Sequence, residues 1–253
     1  MRLALAGKGG SGKTTLAALA IGCLVDMGYK PLLAIDADPL ANLGQALGLP
    51  VELTVADIVD EVARGGAPSG LPKEDYISLR IRQVLAEGKE VDLLVMGRPE
   101  GPGCYCYANS VLRRLIDELS GGYRSMVLDN EAGLEHLSRR TTGRADALVV
   151  VSDATVRGIR TAHHITSLAR KLALPIGSFY LVVNKVVPGC LEALHEEVTR
   201  SGLVLLGTIP YDPGVAACDL AGQPLAALPQ ESPAVAAVRT VIEELVERCR
   251  ASE

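Results

Sequence analysis

The feature that most constrains this chain is a glycine-rich segment near its start. Residues 7–14 read G-K-G-G-S-G-K-T, which fits the phosphate-loop pattern G-x-x-x-x-G-K-[ST]. A short apolar run at residues 3–6 precedes the segment, and a longer one at residues 16–25 follows it. That order predicts a strand, a glycine loop and a helix whose N-terminus faces an anion. The sequence therefore predicts a site for nucleotide phosphates.

Each position in this loop has an expected role in holding a phosphate chain. Glycine lets the main chain turn so that successive N–H groups point inward at phosphate oxygens. We expect Lys13 to reach the β- and γ-phosphates and the Thr14 hydroxyl to bind Mg²⁺. The other nucleotide contacts predicted here are Gly9, Gly10, Ser11 and Gly12 in the loop and Thr15 directly after it.

Short apolar runs bounded by Gly, Pro or Asp alternate with longer segments of helical character. Strands are predicted at residues 3–6, 32–35, 93–96, 125–128, 148–151, 180–183 and 204–206. Helices are predicted at residues 14–27, 110–119, 134–141, 156–172, 191–201 and 234–250. Strands of this kind are typical of a parallel sheet buried on both faces. The alternation predicts a doubly wound α/β fold, with a mostly parallel sheet and helices on both faces.

Length and composition favour one structural unit. The chain has 253 residues, of which 48% are hydrophobic, and this is enough for one large core. We therefore expect residues 1–253 to form a single domain built around the phosphate loop. Residues 77–95 alternate in polarity, which predicts a hairpin at the sheet edge that turns at residues 87–89.

Acidic residues follow two of the predicted strands, at the carboxyl ends of the strands, where ligands bind in such folds. Asp36 and Asp38 follow one strand. An unpaired carboxylate is costly to bury, so a magnesium ion and its waters are an expected partner. A helix cap and a turn are the alternative explanation for this Asp-Pro segment. After a second strand, Asp129 fits a position beside magnesium, and Gly133 can bring its N–H close to the γ-phosphate.

Two further loops at the same edge predict contacts to the base. Asn184 and Lys185 follow a predicted strand, and an asparagine amide can donate to one atom of a base edge and accept from another. The loop containing Pro210 and Tyr211 is expected to close the other side of the base. The N-K-x-D pattern that selects guanine is not present, because Val187 stands at its last position. The predicted ligands are therefore ATP and ADP with Mg²⁺.

A second informative stretch is G-R-P-E-G-P-G-C-Y-C-Y at residues 97–107. The glycines and prolines beside Cys104 and Cys106 predict an exposed loop. Two thiolates one residue apart can converge on one ion, whereas a closed tetrahedral Zn²⁺ site needs four ligands. A two-fold symmetric homodimer would supply two thiolates from each chain. The alternatives are a redox-active pair and two unrelated thiols.

Lys8 adds a second lysine to the phosphate loop, and G-K-G-G-S-G-K-T resembles the deviant Walker A loop of the MinD, ParA and nitrogenase iron-protein class. Three further segments narrow the resemblance: D-A-D-P at residues 36–39, G-P-G-C-Y-C-Y at 101–107 and D-N-E-A-G-L-E-H at 129–136. With these, the chain most resembles the CooC-type carbon monoxide dehydrogenase maturation factors, which are nickel-insertion ATPases. The resemblance extends over nearly the whole chain.

This resemblance implies a mechanism and a set of partners. Lys8 would reach across a dimer interface to the partner's nucleotide, Asp38 would position or activate the attacking water, and Asp36 would support the metal side. The catalytic residues expected on this basis are Lys8, Lys13, Asp38 and Asp129. The two cysteines would bind Ni²⁺ or Zn²⁺ in a homodimer promoted by ATP and metal, and the client enzyme would be carbon monoxide dehydrogenase.

Two other functions are alternatives. A MinD- or ParA-type positioning ATPase would act through membrane or DNA, but the net charge of −5 and the mixed charges of residues 235–250 do not favour an anionic surface. An iron–sulfur protein of the nitrogenase type would carry a second cysteine after Asp129, and residues 129–140 contain none. Since no apolar run has the length of a membrane span, we expect a cytoplasmic protein without nucleic-acid or membrane partners.

Overall fold

The computed structural model describes residues 1–66, 68, 70, 72–99, 104–133 and 144–251. Its strands are β1 (Arg2–Gly7), β2 (Leu32–Ala37), β3 (Leu85–Ala86), β4 (Val91–Val95), β5 (Ser125–Asn130), β6 (Ala145–Asp153), β7 (Ile176–Val186) and β8 (Val204–Pro210). Its α-helices are α1 (Lys13–Asp26), α2 (Leu43–Leu47), α3 (Val55–Ala63), α4 (Lys73–Val84), α5 (Cys104–Leu119), α6 (Val156–Lys171), α7 (Cys190–Ser201), α8 (Pro213–Ala221) and α9 (Pro233–Arg250). The helix predicted at residues 134–141 lies outside the described residues.

The strands of the described residues form one eight-stranded sheet in the order β3-β4-β2-β5-β1-β6-β7-β8. β3 runs antiparallel to β4, and the other neighbouring pairs are parallel. β1, which leads into the glycine loop, lies between β5 and β6 in the interior of the sheet. The prediction of a doubly wound, mostly parallel sheet is confirmed.

Side chains of the strands alternate between two cores, one on each face of the sheet. In β1, Leu3 and Leu5 belong to the core that includes α1 and α9, whereas Ala4 and Ala6 belong to the core that includes α3, α5 and α6. Because successive strand residues point to opposite faces, a strand covered on both sides needs apolar residues at nearly every position. This is why most strands contain a short apolar run, and why each predicted strand overlaps an observed one.

The hairpin predicted at residues 77–95 is only partly correct. Helix α4 continues to Val84, and Ile77 and Val84 are both buried in the core on the α3 and α5 side. The hairpin that remains is short, with Leu85 and Ala86 paired antiparallel to β4. The helices α2, α3 and α8 also lie where the sequence analysis predicted none.

One buried carboxylate, Asp212, ties together the starts of α8 and α9. Its Oδ1 accepts a hydrogen bond from the Gly214 N–H at 2.8 Å, which caps α8. Its Oδ2 accepts from Ser232 Oγ at 2.5 Å and from the Ala234 N–H at 3.1 Å, at the start of α9. The Ser232 hydroxyl and these N–H groups stabilise the charged form, so they hold the pKa of Asp212 below its ordinary value.

Replacement of Asp212 by asparagine should destabilise the fold in a pH-dependent way. Asp212→Asn keeps one acceptor but places an amide NH₂ against the α9 donors, and should lower the free energy of unfolding by about 1–2 kcal/mol at pH 7. Since the folded pKa is depressed, the carboxylate contributes stability above its unfolded pKa of about 4, and this contribution is lost as pH falls through the folded pKa. Urea denaturation at several pH values would measure this.

The matched control is Asp117→Asn, which removes the same charge from an exposed position on α5. It should change the free energy of unfolding by less than about 0.5 kcal/mol at every pH. A loss of stability in Asp212→Asn that stays the same below about pH 4 would contradict the assignment of the effect to the ionised carboxylate.

Candidate nucleotide-binding site

The phosphate loop at residues 7–14 links the end of β1 to the first turn of α1. Gly10 and Gly12 have φ angles of +77° and +89°, in the left-handed region that glycine adopts without strain. A Cβ at Gly12 would lie 2.2 Å from the Asn184 Nδ2 atom, so a larger residue does not fit. Lys13 is 6% exposed at the start of α1, where the positive end of the helix dipole attracts anions.

Two buried carboxylates lie beside Thr14, at the ends of neighbouring strands. Thr14 Oγ1 donates a hydrogen bond of 2.6 Å to Asp129 Oδ2. Asp129 on β5 and Asp36 on β2 are register partners, and they are 1% and 0% exposed. Asp36 accepts hydrogen bonds from the N–H groups of Asp38, at 3.0 Å, and Leu43, at 2.8 Å. Asp129 Oδ1 is buried and has no hydrogen-bond partner among the described residues.

Burial makes both carboxylates weaker acids than usual. It raises the pKa of Asp36 to about 7, with a further contribution from the charge of Asp129. It raises the pKa of Asp129 to about 6, although the hydrogen bond from Thr14 and the charge of Lys13 oppose the rise. A divalent cation would favour the charged forms of both groups. Because the Thr14 hydroxyl and the unpartnered Asp129 oxygen are hard oxygen donors, the residues present fit Mg²⁺.

The segment after β5 contacts the phosphate loop directly. The Gly133 N–H donates to Gly7 O over 3.1 Å, and Gly133 has a φ of +98°. Gly9 approaches the same segment, because a Cβ at Gly9 would lie 3.8 Å from the Ala132 Cβ. The N–H group predicted to contact the γ-phosphate therefore holds the phosphate loop in this structure. Its contact with the γ-phosphate stays a prediction and requires this bond to be exchanged.

Two of the predicted catalytic residues, Asp38 and Lys8, lie at the rim of the site. Asp38 Oδ1 accepts a hydrogen bond from the Leu40 N–H at 3.0 Å, which forms the turn weighed above as the alternative role of this segment. The Lys8 Nζ atom lies 3.8 Å from Asp153 Oδ2, and the Lys8 side chain is 42% exposed. The sequence analysis missed Asp153. Lys8 is thus an accessible cation, in contrast to the buried Lys13.

A cavity of about 160 Å³ lies beside the phosphate loop, between α1, α8 and α9. The predicted nucleotide-contacting residues that line it are Thr15, Asn184, Lys185, Pro210 and Tyr211. Lining residues that the sequence analysis missed include Val215, Ala216 and Asp219. An aspartate directly before Pro213 is a helix-start signal, and it could have located α8 and this side of the cavity. The structure therefore brings the predicted base-contacting residues together around one cavity.

Asn184 and Lys185 also bond to the phosphate loop itself. Asn184 Nδ2 donates to Ser11 O at 2.9 Å, and Lys185 Nζ donates to Gly10 O at 3.0 Å. Asn184 Oδ1 accepts from the Lys185 N–H at 2.8 Å. Because both ends of the Asn184 amide have partners within the protein, its contact with a base stays a prediction.

The exposed loop predicted around Cys104 and Cys106 is only partly correct. Helix α5 begins at Cys104 rather than at the predicted residue 110, so both cysteines belong to its first turn, while residues 100–103 lie outside the described residues. The physical reason is an apolar side of α5 that includes Ala108 and Val111 and packs into the core. Cys106 is exposed and forms no disulfide. In the described part of the chain, no three His, Cys, Asp or Glu residues cluster as a metal site.

The fold and the phosphate loop agree with the family to which the chain is matched. Residues 3–225 match the family model of the CobQ/CobB/MinD/ParA nucleotide binding domain, and the chain belongs to this ATPase family. An uncharacterized ATP-binding protein of Methanocaldococcus jannaschii is 43% identical over 252 residues, covering 98% of this chain and 99% of the relative. The carbon monoxide dehydrogenase accessory protein CooC of Rhodospirillum rubrum is 33% identical over 236 residues, covering 88% of each chain.

Solved structures share the fold. The MinD cell division protein of Aquifex aeolicus has a TM-score of 0.71 at 21% identity, covering 97% of this chain and 96% of that chain. The septum site-determining protein MinD of Pyrococcus horikoshii, solved in complex with Mg-ADP, has a TM-score of 0.71 at 22% identity, covering 100% and 98%. At this level of identity the similarity establishes the fold alone.

Alanine substitutions of the two loop lysines should separate their roles. Lys13→Ala removes the buried cation predicted to hold the β- and γ-phosphates, and should largely abolish nucleotide binding and ATP turnover. Lys8→Ala removes an exposed cation, and should keep nucleotide affinity within about threefold while reducing turnover and ATP-dependent dimerisation. Isothermal titration calorimetry and phosphate release would measure the two effects. Equal loss of nucleotide binding in both variants would contradict a separate role for Lys8.

Proposed function

We propose that this protein is an ATP-dependent metal chaperone that binds Ni²⁺ or Zn²⁺ at a Cys-x-Cys site shared by two protomers and supports nickel insertion into carbon monoxide dehydrogenase. Membership of the MinD/ParA-type ATPase family supports the ATP-dependent part. The observation that carries the metal-binding part is the exposed, disulfide-free Cys106 in the first turn of α5, two positions after Cys104. In this proposal residues 1–253 act as one ATPase domain.

Hydrolysis would rely on the phosphate loop and the two acidic strand ends. Lys13 would hold the β- and γ-phosphates, and Thr14 would hold Mg²⁺ with Asp129 beside it. When bound, Mg²⁺ would neutralise part of the negative charge of the phosphates. Asp38, at the rim, would orient the attacking water, and Lys8 would approach the nucleotide of the other protomer because its side chain is accessible.

The base of ATP would occupy the cavity of about 160 Å³ between the end of β7 and the loop after β8. Tyr211 is 53% exposed, so its ring is available to stack on a flat ligand. The cavity begins at Thr15 in the first turn of α1, and a nucleotide whose phosphates lie on the glycine loop would therefore enter it with its base.

The segment that leads to the cysteines is bonded to the magnesium side of the site. Met96, directly after β4, donates its N–H to Asp36 O over 2.8 Å, and its own carbonyl accepts from the Ala56 N–H at 2.8 Å. Gly97 has a φ of +71°, and a Cβ there would lie 2.3 Å from Thr54 Oγ1, at the cap of α3. This packing supports the proposal that a change around Asp36 on ATP binding reaches the Cys-x-Cys segment.

Thiolate chemistry explains why two protomers would share one metal ion. Cys104 and Cys106 of one chain leave open positions on a divalent ion, whereas two chains supply four thiolates and close a site. Metal binding and dimerisation must then strengthen each other, because the two equilibria are linked. Metal affinity should fall at low pH, since the thiols must lose their protons. Zinc favours tetrahedral and nickel planar arrangements, and the metal is the cargo of the reaction.

The proposal of a client enzyme rests on the name of a related protein. The Rhodospirillum rubrum protein, 33% identical to this chain, is named as an accessory protein of carbon monoxide dehydrogenase, and this supports the same client here. No helix among the described residues combines the length and apolarity needed to cross a membrane. We propose a cytoplasmic homodimer whose partners are ATP, the metal and the client enzyme.

The second candidate function is a MinD- or ParA-type positioning ATPase, since the family includes these proteins. Such a protein of the MinD type would use a basic amphipathic helix on a membrane surface. Here the apolar residues of α9, among them Val238, Ile242 and Leu245, are buried in the core with α1. The third candidate, an iron–sulfur electron carrier, would be excluded by a colourless protein after anaerobic purification.

Substituting the two cysteines tests the shared metal site. Wild-type protein should bind one Zn²⁺ or Ni²⁺ per dimer, and ATP should promote both metal binding and dimerisation. Cys104→Ser and Cys106→Ser should each lose the metal and metal-dependent dimerisation while keeping ATP binding, because the phosphate loop is a separate segment. Light scattering after gel filtration, combined with metal analysis, would measure both properties.

A matched control is Cys190→Ser, which removes another disulfide-free and partly exposed cysteine from the first position of a helix, α7. This variant should behave as wild type. One metal per monomer without any change in mass, or cysteine variants that bind as wild type does, would overturn the shared-site model.

A further inference from the structure

We propose that Asn184 and Lys185 form a clamp that fixes the phosphate loop from the end of β7, and that Lys185 is a positioning residue for phosphate binding rather than a contact to the base. The inference rests on the nucleotide-binding function proposed above and is independent of the metal cargo. It replaces the sequence-based role of Lys185 with one that the side-chain contacts support.

The clamp acts on main-chain carbonyl groups. A loop that turns its N–H groups toward phosphate oxygens directs carbonyl oxygens outward, and each of these needs a donor. Two consecutive carbonyls in the middle of the loop, Gly10 O and Ser11 O, accept their hydrogen bonds from Lys185 Nζ at 3.0 Å and from Asn184 Nδ2 at 2.9 Å. Both donors are side chains from the end of β7, more than half the chain away in sequence.

The main chain at the end of β7 is shaped for these contacts. Lys185 has a φ of +58°, which is uncommon for a residue with a Cβ. The pairing of β7 with β8 also shifts register between Val183 and Val186, and such bulges turn a side chain to a new direction. Asn184 Oδ1 accepts the Lys185 N–H at 2.8 Å and so braces this turn. Left-handed residues of this kind are held in place by their surroundings and cluster at functional sites.

The clamp lies in close contact with the loop. A Cβ at Gly12 would lie 2.2 Å from Asn184 Nδ2 and 4.0 Å from Lys185 Cε. Asn184 is buried, whereas Lys185 is exposed and reaches the loop with its ammonium group from the solvent side. The loop therefore contacts the buried amide of Asn184 and the accessible ammonium group of Lys185. Because Lys185 is exposed, its removal should leave the core intact.

Such a clamp should act on phosphate binding through preorganisation. Donors that are already aimed at the ligand need no ordering when it binds, and this increases affinity. Asn184 and Lys185 also line the cavity proposed for the base. A direct contact from Lys185 to the base would affect ligands that carry a base, whereas a clamp on the loop would affect any ligand that carries the phosphates. The two roles therefore predict different results for a ligand without a base.

Magnesium tripolyphosphate, compared with MgATP, provides the test. Lys185→Asn removes the ammonium group but keeps a residue that tolerates positive φ. This variant should bind both ligands with about tenfold lower affinity in isothermal titration calorimetry, because a hydrogen bond from a charged donor to the loop is lost. Lys185→Arg retains a cationic donor and should stay within about threefold of wild type. Lys89→Asn, which removes the same charge from an exposed loop, should change neither affinity.

Three results would overturn the clamp. Lys185→Asn could weaken MgATP but leave tripolyphosphate unchanged, which would identify Lys185 as a base contact. It could leave both affinities unchanged. Wild-type protein that binds neither ligand would overturn the nucleotide function itself and the clamp with it.

Lys185→Gly, which also accepts positive φ, should reproduce the tenfold loss, and thermal melting of both variants shows whether the fold is retained.

Discussion

The hydrogen bond of 2.6 Å between Thr14 and Asp129 joins the first turn of α1 to the end of β5, and the rest of the site is arranged around it. It brings a helix N-terminus, a hydroxyl and a buried carboxylate to one place at the carboxyl edge of the sheet. Asp36 lies beside Asp129 in register, so two acidic groups are buried next to each other. Burial alone would disfavour both charges. A cation bound beside them would favour the charged forms of both carboxylates.

Much of the architecture could be predicted from the sequence, because its constraints are local. Strands covered on both faces are mostly apolar, so β1, β2, β5, β6 and β7 stand out by their short apolar runs. The phosphate loop was identified for the same reason, since its glycines, Lys13 and Thr14 are adjacent in sequence. Helices α2 and α4 are harder to predict from the sequence. α2 spans only Leu43–Leu47, and α4 has an apolar pattern that also fits a strand, so tertiary packing decides its conformation.

Contacts between residues far apart in sequence limit how much of the candidate site can be predicted from the sequence. The pairing of Lys8 with Asp153, and of Asp212 with Ser232, depends on which strand ends lie next to each other, and one sequence alone does not give this. The same holds for Asn184, which could be recognised as a polar residue at a strand end but not as a partner of Ser11 O. Residue types at the edge of the sheet were therefore predictable, whereas their partners required the fold.

The contact between Gly97 and Thr54 has an evolutionary consequence. A side chain at position 97 would have to displace the Thr54 hydroxyl, 2.3 Å from the Cβ position, and would also have to accept a φ of +71°. Thr54 in turn accepts a hydrogen bond from the Asp57 N–H and so caps α3. The two positions should therefore vary together among homologues. A sequence with alanine or a larger residue at position 97 should carry a smaller residue at position 54, and should begin α3 with a different cap.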